Sequence, residues 1–131
     1  MKKDIISTDK APSAIGPYSQ GVRVNGFIFY SGQIPIVPST GEVVTGDISI
    51  QAEQVMQNIA ALLEASGIGF EDVVKTTIFL TSLADFGVVN DIYGRRFTAM
   101  HPARSTVQVS ALPKGVDIEV EVIAVAAGQA K

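Results

Sequence analysis

The chain contains no cysteine, no tryptophan and a single histidine, His101. Without cysteine there is no disulfide framework, thiolate zinc site, iron–sulfur cluster or thiol nucleophile. One histidine cannot build a multi-histidine metal site or the two-histidine acid–base pair of many metal-free ribonucleases. Long apolar runs are missing too; nothing approaches the roughly 18 residues a membrane span needs. Charge is sparse and slightly acidic, Lys+Arg 10 against Asp+Glu 13, which gives no general attraction to nucleic acid. The basic start Met1-Lys2-Lys3-Asp4 has no apolar stretch of a secretory leader behind it. Hydrophobic residues make up 47% of the 131, too many for a disordered chain and enough for one core. The composition predicts a cytoplasmic protein with one domain over 1–131 and no membrane or nucleic-acid partner.

Glycine and proline punctuate the pattern. Asn25-Gly26 between Val22–Val24 and Phe27–Ser31 predicts a two-residue hairpin. Pro35 and Pro38-Ser39-Thr40-Gly41 predict a loop and a turn, with a short strand at Val43-Val44. From about Ile48 to Ser66, apolar residues at Ala52, Val55, Met56, Ile59, Leu62 and Leu63 follow helical spacing, and Gly67 suits a left-handed cap. Val73–Leu80 is β-branched and reads as a strand. Ser82 as N-cap opens a second predicted helix, about Leu83 to Met100, burying Phe86, Val89, Tyr93, Phe97 and Met100. Its end places His101 at a helix C-terminus, where a cation is favoured. Strands then follow at Ser105–Val109, with Val107 and Val109 buried, and at Val116–Ala126. In the last, Ile118, Val120, Val122 and Ala124 share one face and Glu119, Glu121, Ile123 and Val125 the other. Two helices cover only one face of a sheet, so the second face calls for another subunit. The reading is α+β: a mixed sheet, two helices on one face, and self-association on the other.

Several residues suggest chemistry, each with a plainer alternative. Arg104, after the stiff His101-Pro102-Ala103 approach, is suited to hold a carboxylate through two parallel hydrogen bonds, or is a solvated or locally paired arginine. Glu119 and Glu121 sit on a partly apolar strand face, where desolvation raises a carboxyl pKa toward neutrality. Alternatively they fray into water or are neutralised by Arg95, Arg96 or Arg104. Gly16-Pro17 stiffens the chain before Tyr18, whose phenol either donates to a ligand or merely packs over a sheet edge. Ser31-Gly32 ends a strand, and glycine there permits close approach of a ligand or simply makes a turn. Asn90 faces a cleft or water equally well. No Ser/His/Asp, phosphate-loop or metal constellation is present, so residue chemistry alone reaches an oligomeric domain with an anion site.

Eight motifs in order carry more. Ile-Gly-Pro-Tyr-Ser-Gln (15–20), Tyr-Ser-Gly-Gln-Ile-Pro (30–35), Thr-Gly-Glu-Val (40–43), Gln-Asn-Ile-x-Ala-x-Leu-Glu-Ala-x-Gly (57–67), Asp-Val-Val-Lys-Thr-Thr-Ile-Phe-Leu (72–80), Asp-Phe-x-x-Val-Asn-x-x-Tyr (85–93), Pro-Ala-Arg-Ser-Thr-Val (102–107) and Leu-Pro-Lys-Gly-x-x-Ile-Glu-Val-Glu-x-Ile-Ala-Val (112–125) together resemble the reactive-intermediate deaminase (RidA) family over about residues 4 to 127. The resemblance implies a chorismate-mutase-like α+β fold, a homotrimer with sites between subunits, and cofactor-free hydrolysis of 2-imino or 2-enamino acids to 2-oxo acids and ammonia. Typical substrates of the family are 2-iminopropanoate (2-aminoacrylate) and 2-iminobutanoate. It places the carboxylate-binding arginine on Arg104 and the acid–base glutamate on Glu119. Tyr18, Ser31, Gly32, Asn90, Ser105 and Thr106 fall on ligand-lining positions. Thr106 stands where some members carry cysteine, so no thiol role carries over. A non-catalytic 2-oxo-acid-binding trimer is the alternative, and a translation-inhibiting endoribonuclease a weaker one.

Overall fold

The protein is described here by a computed structural model covering residues 2–126. Its elements are β1 (Asp4–Ile6), β2 (Gly21–Val24), β3 (Phe27–Tyr30), β4 (Ile36–Val37), β5 (Glu42–Val43), α1 (Ile48–Ala65), β6 (Val73–Leu80), α2 (Phe86–Gly94), β7 (Ala103–Gln108) and β8 (Ile118–Val125). Six strands form one sheet in the order β1-β2-β3-β8-β6-β7, parallel only at β6–β7 and antiparallel elsewhere. β4 and β5 pair separately as a small hairpin. The mixed sheet with two helices on one face is the architecture the pattern implied.

Local chemistry explains the firm elements. Asn25 and Gly26 both take positive φ, 54° and 83°, the conformation a twisted two-residue hairpin turn requires. Asp47 caps α1 by accepting from the Ser49 and Ile50 amides at 3.1 and 3.2 Å. Gly67 closes the helix at φ 77°, its amide donating to the Glu64 carbonyl at 3.0 Å. The apolar stripe of α1 then buries Val55, Ile59, Leu62 and Leu63 against Ile28, Ile78, Val120 and Val122 of the sheet. Truncating any of these side chains to alanine costs about 2–5 kcal/mol.

Buried polar groups on α1 fix where the chain after β3 and the start of β8 lie. Asn58, 1% exposed, donates to the Ile36 carbonyl at 2.9 Å and accepts from Gln54. Gln51 donates to the Asp117 carboxylate at 2.9 Å and accepts from the Asp117 amide at 3.0 Å. These bonds replace the water each group gives up on burial, and they orient the segment that leads into Glu119.

Several expectations need correction. Residues Leu83–Asp85 form a single 3-10 turn, capped by Ser82, and α2 runs only from Phe86 to Gly94. Phe97 still buries itself, because its ring packs on Tyr93 with centroids 4.5 Å apart and meets Phe70 edge-on. Met100 does not: at positive φ (51°) it turns out of the chain path and is 92% exposed. His101 therefore lies well beyond the helix end rather than at it. Phe86 is 37% exposed at the start of α2, and Val107 is 40% exposed because it lies on the edge strand β7 and faces away from the helices. β1 and β4 span only three and two residues, too few to carry a detectable period.

Candidate functional site

Strand parity decides which candidates meet. Thr76 and Val122 face each other across β6 and β8 and are buried toward the helices. Arg104 pairs with Thr76 and Thr106 with Ile78, so both side chains lie on the helix-covered face. Glu119 pairs with Phe79 on the opposite face, and Ser105, paired with Thr77, lies there too. Within one chain Arg104 and Glu119 are therefore separated by the sheet itself.

Around Glu119 there is a cleft of ≈ 530 Å³, lined among others by Ile15, Tyr18, Ser31, Gly32, Lys114 and Glu119. A β-bulge builds its floor. Phe29 faces Ile123, yet four residues later Gln33 bonds with Val120, only three residues back, so positions 30–32 carry one extra residue. Bulges re-aim side chains and free backbone from the ladder. The Ser31 hydroxyl donates to the Ser19 carbonyl at 2.6 Å, tying the bulge to the Gly-Pro-Tyr segment. Gly32 is needed for room rather than for conformation: a Cβ there would overlap Glu119 Oε2 and lie 2.9 Å from its Cδ. Tyr18, half exposed, leans over the mouth with its hydroxyl near the Ile15 amide. Buried Gln20 accepts from the Thr8 amide at 2.7 Å and donates to the Thr8, Ala11 and Pro12 carbonyls, which pins the strap forming the cleft's other wall.

The electrostatics single out Glu119. Burial first, and the neighbouring Glu121 charge second, raise its carboxyl pKa from the ordinary value. Among the described residues no cation lies within ion-pair distance of it. Of the neutralising arginines considered from sequence, Arg96 instead holds Glu53 on α1 through two 2.8 Å bonds, and none pairs with Glu119. Glu121 itself is exposed.

The second group lies where α2 meets the sheet edge. Asn90 Oδ1 accepts from Arg104 Nη1 at 2.8 Å. The guanidinium carbon sits 5.0 Å from the Tyr93 ring centroid and 5.4 Å from that of Phe86. Thr106 Oγ1 is buried with no hydrogen-bond partner. Sequence reading placed Phe86 and Tyr93 in the core and missed their contact with Arg104; their spacing of four and three from Asn90 was the available signal. Lys114, held at positive φ (59°) in the turn before β8, was also missed as part of the cleft wall. Among the described residues no cluster of His, Cys, Asp or Glu is arranged to hold a metal, and no helix is long and apolar enough to cross a membrane.

Sheet, helices and cleft describe a two-layer α+β protein with a cavity of ≈ 530 Å³ beside its sheet. The family model described as Endoribonuclease L-PSP matches residues 8–126, and the chain belongs to that family, which includes the RidA proteins. It is 49% identical over 121 residues to the Homo sapiens protein named 2-iminobutanoate/2-iminopropanoate deaminase, covering 92% of this chain and 88% of that one. A crystal structure of a Rid-family protein from Yersinia pestis superposes with TM-score 0.92 at 53% identity, over 95% and 99% of the two chains. The E. coli TdcF structure with bound serine gives TM-score 0.88 at 46% identity, over 93% and 98%.

Proposed function

We propose that this chain hydrolyses 2-imino acids, or their 2-enamino tautomers, to 2-oxo acids and ammonia, with small substrates such as 2-iminopropanoate and 2-iminobutanoate. The observation that carries the reading is Glu119, half-buried, raised in pKa and without a cation partner in a ligand-sized cleft. The names of the deaminase relatives support the chemistry, and the serine bound to TdcF supports a site for small amino-acid-like ligands.

Arg104 and Glu119 serve one substrate if Arg104 comes from a second copy. The uncovered sheet face supports such self-association, because Phe27 and Phe29 lie 44% and 45% exposed on it. A homotrimer with three clefts between protomers satisfies both requirements. In each cleft the arginine of one copy binds the carboxylate and removes orientational freedom. Glu119 of the other accepts a proton from water as its oxygen bonds to C2. The C=N electrons pass to nitrogen, which takes up a proton. The resulting carbinolamine loses ammonia as its O–H proton leaves and the C=O bond forms. Glu119, its pKa raised by burial and by the neighbouring Glu121 charge, moves the proton in both directions. Tyr18, Ser31, the Gly32 backbone and the Ser105–Thr106 strand complete the wall. An imine is electrophilic enough that this route calls for no metal or organic cofactor.

The test generates the imine in situ with a threonine dehydratase and follows 2-oxobutanoate against semicarbazide trapping. Wild type accelerates release; Arg104→Ala and Glu119→Gln do not. A wild type that leaves the rate unchanged removes the hydrolase reading. Binding of 2-oxobutanoate without turnover would leave a sensor in its place.

A further inference from the structure

We propose that Asn90 and Tyr93 are positioning residues which hold the Arg104 guanidinium with neutral groups, leaving its full charge for the incoming carboxylate. The inference rests on the reading of Arg104 as the carboxylate anchor and says how that anchor is kept ready. A guanidinium has five N–H donors and no acceptor, so the Asn90 amide must present its oxygen to it, as it does at 2.8 Å. That contact uses Nη1 and leaves donors elsewhere on the fork for a bidentate grip. The guanidinium carbon lies over two rings, Tyr93 at 5.0 Å and Phe86 at 5.4 Å from their centroids, both inside the range of a cation–π contact.

The ring of Tyr93 is itself fixed. It is 6% exposed, stacks on Phe97, and exchanges a 2.8 Å hydrogen bond with the Thr76 hydroxyl beneath it. Thr76 is fully buried and sits directly across the ladder from Arg104. The chain of contacts runs from the sheet through Thr76 and Tyr93 to the guanidinium, with Asn90 closing the side. No carboxylate lies within ion-pair distance of Arg104 among the described residues. An acid in the place of Asn90 would orient the arginine equally well but would occupy its charge and repel an anionic ligand. A neutral amide avoids that competition.

This predicts an unusual ordering. The full chain is titrated with 2-oxobutanoate by calorimetry, and imine hydrolysis is measured in parallel, for wild type, Asn90→Asp, Asn90→Ala, Tyr93→Leu and Tyr93→Phe, with Arg104→Ala as the floor. Asn90→Asp, although nearly isosteric, weakens Kd and KM by more than tenfold and by more than Asn90→Ala does. Tyr93→Leu weakens both by about tenfold through loss of the ring, whereas Tyr93→Phe, which keeps the ring, stays within about threefold. kcat changes little, because the anchor binds ground state and transition state alike. Circular dichroism and assembly size identical to wild type exclude a folding effect. The inference fails if folded Asn90→Asp binds no more weakly than Asn90→Ala, or if folded Tyr93→Leu binds like wild type. A Tyr93→Leu that does not fold leaves the decision to the two Asn90 variants. A wild type that binds 2-oxobutanoate without hydrolysing the imine removes the hydrolase reading, while the Kd ordering still decides this one. A wild type that neither binds a 2-oxo acid nor hydrolyses the imine overturns both, and for one that hydrolyses without measurable 2-oxo-acid binding the KM ordering decides.

Discussion

Replacing Gly32 by alanine tests the cleft with the smallest possible perturbation. The added methyl would overlap Glu119 Oε2, and would stand 2.9 Å from Cδ and 3.2 Å from Cγ of the same side chain. All three atoms belong to one flexible side chain, so the carboxyl swings aside and the backbone stays. Residue 32 is not at positive φ, so alanine is conformationally acceptable there. Its reduced unfolded-state entropy contributes about 0.4–1 kcal/mol of stability. An off-rotamer Glu119 costs a similar amount, about 0.5–1.5 kcal/mol. The two nearly offset, and the thermal midpoint moves by only a few degrees. Catalysis is less forgiving: a displacement of about 1 Å at a reacting group costs on the order of 100-fold in rate. The expected result is a folded protein with kcat/KM lowered by about two orders of magnitude, about 2.7 kcal/mol of transition-state stabilisation. Glu119→Asp shortens the side chain and withdraws the carboxyl, so adding Gly32→Ala to that background causes little further loss. Wild-type kcat/KM in the single variant, or an equal loss in both backgrounds, would refute the coupling of these two residues.

Three further outcomes follow from the same geometry. Mixing dissociated Arg104→Ala and Glu119→Gln chains and letting them reassemble restores about a quarter of wild-type turnover if each cleft joins two protomers of a cyclic assembly, and none if it lies within one. Glu121→Gln removes the negative charge that helps raise Glu119, so the acidic limb of the pH–rate profile shifts to lower pH; a limb that stays put denies Glu119 its role as the ionised base. Arg96 holds the Glu53 carboxyl down at about 2, so that pair's stabilisation is present above the ordinary glutamate range and is lost as pH falls toward about 2. Because the Glu53 side chain is 38% exposed, solvent screens the pair, and Arg96→Met costs at most about 1 kcal/mol in urea denaturation at pH 7, vanishing near pH 2.

Sequence patterns exposed the elements whose signals are local. The stripe of α1, the Asn25-Gly26 turn and the β-branched run of β6 each settle their conformation within a dozen residues. The second helix was read too long because Phe97 keeps helical spacing from Tyr93 while occupying a turn; burial against Phe70 and Tyr93, not a continuous helix, satisfies it. Arg104 and Glu119 stood out by residue type. Their placement on opposite faces was invisible, because it depends on how β7 and β8 register against β6, a pairing between distant segments. The bulge at 30–32 was hidden for the same reason: it exists only relative to β8.

That opposition of faces has a consequence for inheritance and dosage. In the proposed homotrimer a protomer would lend its arginine to one neighbour and its glutamate to the other, and would have no working centre of its own. A copy damaged at both positions would then silence two clefts, and a minority of faulty chains would spoil more centres than its numbers suggest. Dilution that dissociates such an assembly would do the same without any mutation.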